Sequence, residues 1–398
     1  MFKIMAVNAG SSSLKFKLYE MPNEVVITEG VIERIGLEDA YYTIKFNGQK
    51  TKKVLPIANH GVAVKILLED LKEKEVVKSL DEIHGVGHRV VQGGSYFKDS
   101  ALIDNDVVQK IEEMSGLAPL HNPANLTGIN SFKEILPNVP HVAVFDTSFH
   151  QTMEKEYFMY ALPYEWYTEY KIRKYGFHGT SHKYVALKAA EVMGKPISEL
   201  NFITCHIGNG ASIAAVKGGK CVDTSMGLTP LEGIPMGTRS GDIDPAIIEI
   251  MCEKENLSAA QVINILNKKS GYLGVSGISN DSRDLEEAME AGNERAKLAL
   301  NLQYKRIADY IGAYYLTLGR VDAIIFTAGI GENSHHTRAA VINRVKALGI
   351  EVDEVANKTR GEIKEISTKD SKVKAFIIPT DEELMIARDT VRLGNITK

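Results

Sequence analysis

The chain has 398 residues, with 47 Lys and Arg against 51 Asp and Glu and a formal net charge of −4. Hydrophobic residues at 44% and charged residues at 25% exclude a disordered, collagenous or coiled-coil chain, and the length predicts two or three domains. The charge balance offers no global reason to bind nucleic acid or an acidic membrane.

The N-terminal apolar run is too short for a signal peptide and is interrupted at Asn8. No stretch approaches the roughly 20 apolar residues that cross a bilayer. Cys205, Cys221 and Cys252 are odd in number and include no CxxC, so a reducing, cytoplasmic setting is expected rather than a disulfide framework. Residues 2–8 and the alternating Leu14, Phe16 and Leu18 predict two strands of a hairpin, with Lys15 and Lys17 on the opposite face. A third strand is expected over 25–34. Tyr42, Ile44 and Phe46 alternate into an Asn47-Gly48 turn. A helix over 60–74 and a strand near 83–88 follow. Pro123 marks a helix start, and that helix runs to about 135. Residues 141–145 form a short strand that ends at Asp146.

Thr180 and Ser181 are expected to cap a helix over 182–193. Strands at 201–206 and 211–216 flank a Gly208-Asn209-Gly210 turn, which repeats the pattern of the N-terminal hairpin. Ala296, Leu300, Ile307, Ile311, Tyr314 and Leu318 make one stripe of a long helix over 293–318. A strand over 322–327 enters a third small-residue turn at Gly329-Ile330-Gly331-Glu332-Asn333. The last strand covers 375–378, and Thr380 with Glu383 predicts a capping box for the final helix. No low-complexity linker occurs, and the best boundary falls near 148–155.

Small-residue turns after strands let several backbone N–H groups point at one anion. The first is Asn8-Ala9-Gly10-Ser11-Ser12-Ser13, followed by Lys15. The second is His206-Ile207-Gly208-Asn209-Gly210, and the third is the 329–333 turn. Each alone also reads as an ordinary polar turn. Three in one chain, two of them as similar hairpins, point to related domains that hold a nucleotide. No GxxxxGK[ST] occurs, so a Walker P-loop is excluded, and no GxGxxG opens a helix in a βαβ unit. Arg89 and Arg239 lie in glycine-rich, non-helical contexts, and their guanidinium forks suit carboxylate or phosphate oxygens, with a surface ion pair as the competing reading. His178 and His182 are four apart, but Gly179 between them and the lack of HExxH argue against zinc. His178 suits donation to a reacting oxyanion. Asp146 can hold a metal, act as a base or cap a turn; Glu382 can bind a metal or suit a helix N-terminus.

Together these segments closely resemble the acetate kinase family, within the acetate and sugar kinase/Hsp70/actin superfamily, from Asn8 to Glu382. The diagnostic stretches are residues 7–15 and 230–242, the latter reading Pro-Leu-Glu-Gly-Ile-Pro-Met-Gly-Thr-Arg-Ser-Gly-Asp. The resemblance implies an α/β fold of two duplicated actin-like (ribonuclease H-like) domains. Each would be a mixed sheet flanked by helices, with the active-site cleft between them. The domains would span 1–150, with helix 385–398 packing back on it, and 151–384, which binds nucleotide.

It also implies Mg-dependent, reversible, in-line transfer of the ATP γ-phosphoryl group to acetate, giving acetyl phosphate and ADP. Asn8 and Glu382 would hold Mg²⁺, or Mn²⁺ in its place. Ser11, Ser12, Ser13 and Lys15 would face the ATP phosphates. His206, Ile207, Gly208, Asn209 and Gly210 would form the second phosphate turn. Asp281, Ser282 and Arg283 would receive the adenosine, and Gly329, Ile330, Gly331, Glu332 and Asn333 would cover the adenine and ribose. Arg89 and Arg239 would flank acetate and the transferring group, which His178 and Asn209 stabilise. Val91, Leu120, Phe177 and Pro230 would line the methyl pocket. Asp146 is counted with the catalytic residues, by metal positioning or as a base. A cytoplasmic homodimer is expected. The sequence leaves open a propionate or butyrate kinase of the same family, and a non-catalytic, nucleotide-driven binding module of the Hsp70/actin type.

Overall fold

Apolar alternation builds the first sheet. In the computed structural model, residues 1–119 and 121–397 are described, and the chain divides into two units. One is Met1–Gln151 together with the chain from Asp381 onward; the other is Thr152–Thr380. The first unit holds β1 (Phe2–Gly10), β2 (Ser13–Met21), β3 (Val25–Glu33), β4 (Tyr41–Phe46), β5 (Gln49–Val54), β6 (Ile83–Val90), β7 (Ala101–Leu102) and β8 (His141–Phe145). They form one sheet in the order β5-β4-β3-β2-β1-β6-β8-β7. β1 to β5 pair antiparallel, whereas β6 joins β1, and β8 joins β6, in parallel. Leu14, Phe16 and Leu18 enter a core with Ile32, Tyr42 and Ile44. Val64 and Leu67 of the His60–Glu73 helix and Phe132 of the Asn122–Ile135 helix join them. Each such fully buried side chain contributes about 1.5–3 kcal/mol of transfer free energy.

The other face of the sheet receives the C-terminal helix, Glu382–Leu393. Gly87 makes this possible: a Cβ there would sit 2.4 Å from Ile386 Cγ2 and 3.1 Å from the Ile386 carbonyl. The missing side chain on β6 therefore sets where the helix lies, and with it Glu382. The expected Thr380–Glu383 capping box does not form. Asp381 is the N-cap, accepting from Leu384 N at 3.0 Å, while Thr380 N donates to Glu332 Oε1 at 3.1 Å.

The second unit repeats the plan. β9 (Asn201–Ile207), β10 (Ala211–Lys217), β11 (Lys220–Thr224), β12 (Ala323–Thr327), β13 (Lys364–Glu365) and β14 (Lys374–Ile377) lie in the order β11-β10-β9-β12-β14-β13. An antiparallel β9–β10 hairpin again meets two parallel strands, β12 and β14, as β1–β2 meets β6 and β8. The two sheets are thus mixed, helix-flanked and alike in connection, as expected. The long helix runs Glu294–Leu318, and all six residues of its predicted stripe are buried. Two local expectations are corrected. The helix after His178 spans Gly179–Val192 and takes left-handed His178 as its N-cap residue, not Thr180 or Ser181. The segment expected as a turn at 329–333 is a short helix, Ala328–Asn333. Among the described residues, no helix is long and apolar enough to cross a membrane.

Candidate functional site

In the first unit, Asn8, Arg89 and Asp146 lie near or just past the carboxyl ends of the parallel strands β1, β6 and β8. Such ends are where open α/β sheets place their ligands. Asn8 pairs with Lys15 across the hairpin. Arg89 is two residues beyond Gly87, so it faces the side of the sheet that carries the C-terminal helix. Arg89 and Asp146 form a fork-to-fork pair: Nε donates to Oδ1 at 2.9 Å and Nη2 to Oδ2 at 2.6 Å. Asp146 raises the pKa of Arg89 well above its usual value. Both oxygens of Asp146 are thus occupied, an engagement that sequence reasoning did not foresee.

The Glu382 carboxylate makes no hydrogen bond or ion pair with any described residue. Burial first, and then the charges of Asp146, Glu383 and Asp381, push its carboxyl up to about 7 against the lowering effect of Arg89. A partly buried carboxylate without a partner, crowded by other carboxylates, is a place for a cation. Among the described residues there is no cluster of three or more His, Cys, Asp or Glu side chains suited to a metal. Mg²⁺ keeps several waters and takes one or two carboxylates together with substrate phosphates. The oxygen donors of Asn8 and Glu382 are of the right kind.

Ser11 and Ser12 are exposed at the hairpin tip, and Ser13 pairs with Gly10. Behind the tip, His60 Nε2 donates to Gly10 O at 2.7 Å, and Asn125 Nδ2 donates to Ala9 O at 2.7 Å. Asn125 Oδ1 also accepts from Val91 N at 3.1 Å. One buried asparagine thus ties the small-residue turn to Val91, itself buried. Nothing in the spacing of Asn125 announces this. Lys15 lines a cavity of about 600 Å³ with Lys17, Lys45, Lys50, Glu29 and Glu383. Leu120 lies outside the described residues.

In the second unit, Gly210 locates a convergence: a Cβ there would be 3.5 Å from both Arg239 Nη1 and His178 Nε2. The ring of His178 stacks on His206 with centroids 4.1 Å apart. His178 Nδ1 contacts Ser212 Oγ at 2.9 Å, the same oxygen that meets His182 Nε2 at 2.8 Å. His206 Nδ1 lies 2.8 Å from Ser181 Oγ. His178 Nε2 lies on the side of Gly210. Arg239 Nη1 donates to Pro230 O at 3.1 Å. Among the described residues Arg239 has no carboxylate partner, and burial lowers its pKa. Asn209 O accepts from Gly237 N at 3.1 Å, and Asn209 Oδ1 from Asn280 Nδ2 at 3.2 Å. Gly237 has to be glycine, since a Cβ would fall 1.8 Å from Asn209 Oδ1. Phe177 is buried and Pro230 half-buried.

Beside these residues is a cavity of about 570 Å³. Of the predicted nucleotide set, Gly208, Asn209, Asp281, Ser282, Arg283, Gly329, Ile330 and Asn333 line it. Asn280, Glu286, Ser334 and Arg360 also line it and were missed, because they lie outside the glycine-rich turns. Asp281 caps the Ser282–Glu290 helix and pairs with Arg283, which lowers its pKa. His206, Ile207, Gly210, Gly331 and Glu332 are not among the lining residues. Ile207 is fully buried, and Gly331 packs against the backbone of β12. Glu332 Oε1 instead accepts from Ala328 N at 2.8 Å and Thr380 N at 3.1 Å, so it braces the short helix.

A profile described as the acetokinase family matches residues 3–388. The acetate kinase of Geobacillus sp. (strain WCH70) is 59% identical over 396 residues, all of this chain and all of that one. The crystal structure of Porphyromonas gingivalis acetate kinase superposes with a TM-score of 0.95 at 46% identity, covering 99% of this chain and 100% of that one. That of a propionate kinase from Francisella tularensis gives 0.93 at 41% identity, again covering 99% and 100%.

Proposed function

The chain belongs to the acetokinase family, and from that premise we propose that it transfers the γ-phosphoryl group of ATP reversibly to acetate, forming acetyl phosphate and ADP. One observation carries this reading beyond the likeness: the Arg239 guanidinium, which has no carboxylate partner among the described residues, converges with His178 Nε2 at Gly210, beside the 570 Å³ cavity. Charge spread over the equatorial oxygens of a phosphoryl group in flight needs such partners more than covalent help.

The roles follow from where each side chain lies. The cavity takes the adenosine, with Asp281, Ser282, Arg283, Gly329, Ile330 and Asn333 in its wall. Asn209, on the turn beside it, and His178 stabilise the transferring group. Ser11, Ser12, Ser13 and Lys15 take the phosphates. Arg89 and Arg239 bind the acetate carboxylate and the phosphoryl oxygens, and Val91, Phe177, Pro230 and Leu120 surround the methyl group. The acceptor has a pKa of about 4–5, like a glutamate side chain, and is already ionised at neutral pH. No general base is needed. Asp146, with both oxygens on Arg89, acts by holding that guanidinium fork. Asn8 and Glu382 would hold Mg²⁺, which when bound supplies charge neutralisation of the phosphates. A cytoplasmic homodimer is part of the same proposal, and a solution mass measurement checks the dimer.

The test is acetyl phosphate formation from ATP and acetate, for the wild type and Arg239→Ala. We expect turnover in the first and at least about a hundredfold lower kcat in a folded Arg239→Ala, the scale for losing one preorganised partner of transition-state charge. No acetyl phosphate from the wild type, or wild-type turnover in the variant, refutes the reading. Propionate serves as the second acceptor because of the likeness to the Francisella propionate kinase. A higher kcat/KM with propionate would move the assignment to that substrate.

A further inference from the structure

Residues 225–242 carry both Pro230 and Arg239, yet no helix or strand runs through them. Something outside the loop has to fix the guanidinium. The loop folds back on itself, with Met236 N donating to Arg239 O at 3.0 Å. Its outer end is closed at Asp242, whose N donates to Gly233 O at 2.9 Å and whose Oδ1 accepts from Gly233 N at 2.8 Å.

The long helix Glu294–Leu318 presents one anomaly. Its buried stripe runs Ala296, Leu300, Ile307 and Ile311, but Gln303, also on the buried face, is polar and 0% exposed. A fully buried amide is costly unless its donor and acceptor are both used. Here they are. Gln303 Nε2 donates to Pro235 O at 2.7 Å, and Gln303 Oε1 accepts from the hydroxyl of Tyr272, itself fully buried. The bond from Tyr272 fixes which way the amide points, since the carboxamide has one acceptor end and one donor end. Tyr272 closes the circuit through its own backbone, N donating to Met236 O at 2.9 Å. The Pro235–Met236 segment, from which the Arg239 turn springs, is therefore held on both sides by one buried pair. One and two turns further along the same helix, Arg306 and the Tyr310 hydroxyl hold Asp242 Oδ2 at the far end of the loop.

We infer that Gln303 is a positioning residue for Arg239: its buried amide sets the base of the Arg239 turn and so the placement of the guanidinium on the transferring phosphoryl group. This rests on the function proposed above. Gln303 touches none of the cavity-lining residues by hydrogen bond, so its effect should be on the chemical step rather than on nucleotide binding. A misplacement of about 1 Å remote from the chemistry can cost a hundredfold in rate.

The experiment is a kinetic cycle with Gln303→Met, Arg239→Ala and the double variant, in the full-length protein. For folded Gln303→Met, kcat should fall by about 10- to 100-fold, with the KM for ATP within about twofold of wild type. In the Arg239→Ala background the same substitution should change kcat by less than about twofold, since residues that act as one unit are not additive. Wild-type kcat in folded Gln303→Met overturns the inference. So does a double variant whose losses multiply, which is what a merely structural role would give. Should Gln303→Met not fold, Tyr272→Phe decides. It frees the amide to turn, and should lower kcat by a few fold in the wild type and not in the Arg239→Ala background; an unchanged kcat overturns the inference. If Arg239→Ala itself keeps wild-type turnover, the proposed function fails first. If Arg239→Ala is slow and Gln303→Met is not, only the present inference fails.

Discussion

The Arg89–Asp146 pair sets up a prediction about stability that can be separated from activity. The Asp146 side chain is 3% exposed and that of Arg89 25%. Breaking a fully buried pair costs about 3–5 kcal/mol, because the remaining charge is left without a partner. Exposed pairs are worth about 0–1 kcal/mol. With one member buried and the other a quarter exposed, removal of a single partner should cost about 2–3 kcal/mol. The two removals are not equal. Arg89→Met strands the more buried charge, Asp146, near the already crowded Glu382. Asp146→Ala strands an arginine that still reaches water and has Glu382 nearby. Arg89→Met should therefore be the more destabilising. For a unit of this size, 1 kcal/mol moves Tm by about 2–4 °C, so the single variants should lose about 5–10 °C. The double variant removes both charges and should recover most of that loss, while its kcat stays as low as that of Arg89→Met. Calorimetry and turnover on the four proteins give the cycle. A double variant as unstable as the sum of the singles would refute the view that an orphaned charge is the cost.

Val91→Ala should enlarge the apolar wall and raise the propionate/acetate ratio of kcat/KM by about 1 kcal/mol, roughly one methylene; an unchanged ratio removes Val91 from the pocket. Glu382 should compete between a proton and Mg²⁺. With its carboxyl at about 7, the half-saturating Mg²⁺ should rise as pH falls from 8 to 6, by up to about tenfold per pH unit once protonated. Glu382→Gln should need more Mg²⁺ at every pH and lose that slope; a retained slope refutes the assignment. His88 and His141 are buried, with His88 Nε2 3.0 Å from His141 Nδ1 and His141 Nε2 donating to Leu136 O at 2.9 Å. Burial depresses both pKa values. The unfolded chain then binds protons that the fold refuses, so stability is full above about pH 6.5 and is lost as pH falls below it. His88→Gln should flatten the loss by up to about 1.4 kcal/mol per pH unit, read from urea unfolding between pH 6.5 and 5.

Much of the fold was legible because it rests on short-range periodicity. The Leu14, Phe16, Leu18 alternation and the stripe on the long helix both became buried faces, and the likeness of the two hairpins became the likeness of two sheets. The candidate site was legible where glycine marks a close approach, as around Arg89, Arg239 and Gly208. What escaped depends on contacts between distant segments. Asp146 reads as a free carboxylate until β6 and β8 are placed side by side and Arg89 takes both its oxygens. Glu332 reads as a nucleotide residue, and that its carboxylate accepts from Thr380 N is known only once the chain returns to it. Gln303 breaks an apolar stripe, which the sequence does display, but its partners Pro235 and Tyr272 are known only once the loop is folded. Asp381 rather than Thr380 caps the last helix, its Oδ1 accepting from Leu384 N, and the Thr380 N–H that a capping box would offer to Glu383 goes to Glu332 instead.

The two arginines that look alike in sequence differ in physical state, and that difference bears on what each can do. Arg89 arrives with its charge largely answered by Asp146, so it can aim a fork at an oxygen without carrying a large unpaid desolvation cost of its own. Arg239 is partly buried, and among the described residues its guanidinium meets the Pro230 carbonyl and Met236 Sδ. Its charge is already stripped of some water and has no carboxylate partner among the described residues. An anion arriving beside it therefore relieves a penalty that folding has already incurred, and the relief grows as negative charge develops on the phosphoryl oxygens. That is preorganisation in the electrostatic sense. It also explains why the loop bearing Arg239 has to be braced by a buried glutamine: an unpaired cation with a partly apolar surround would otherwise turn toward water or the nearest carboxylate.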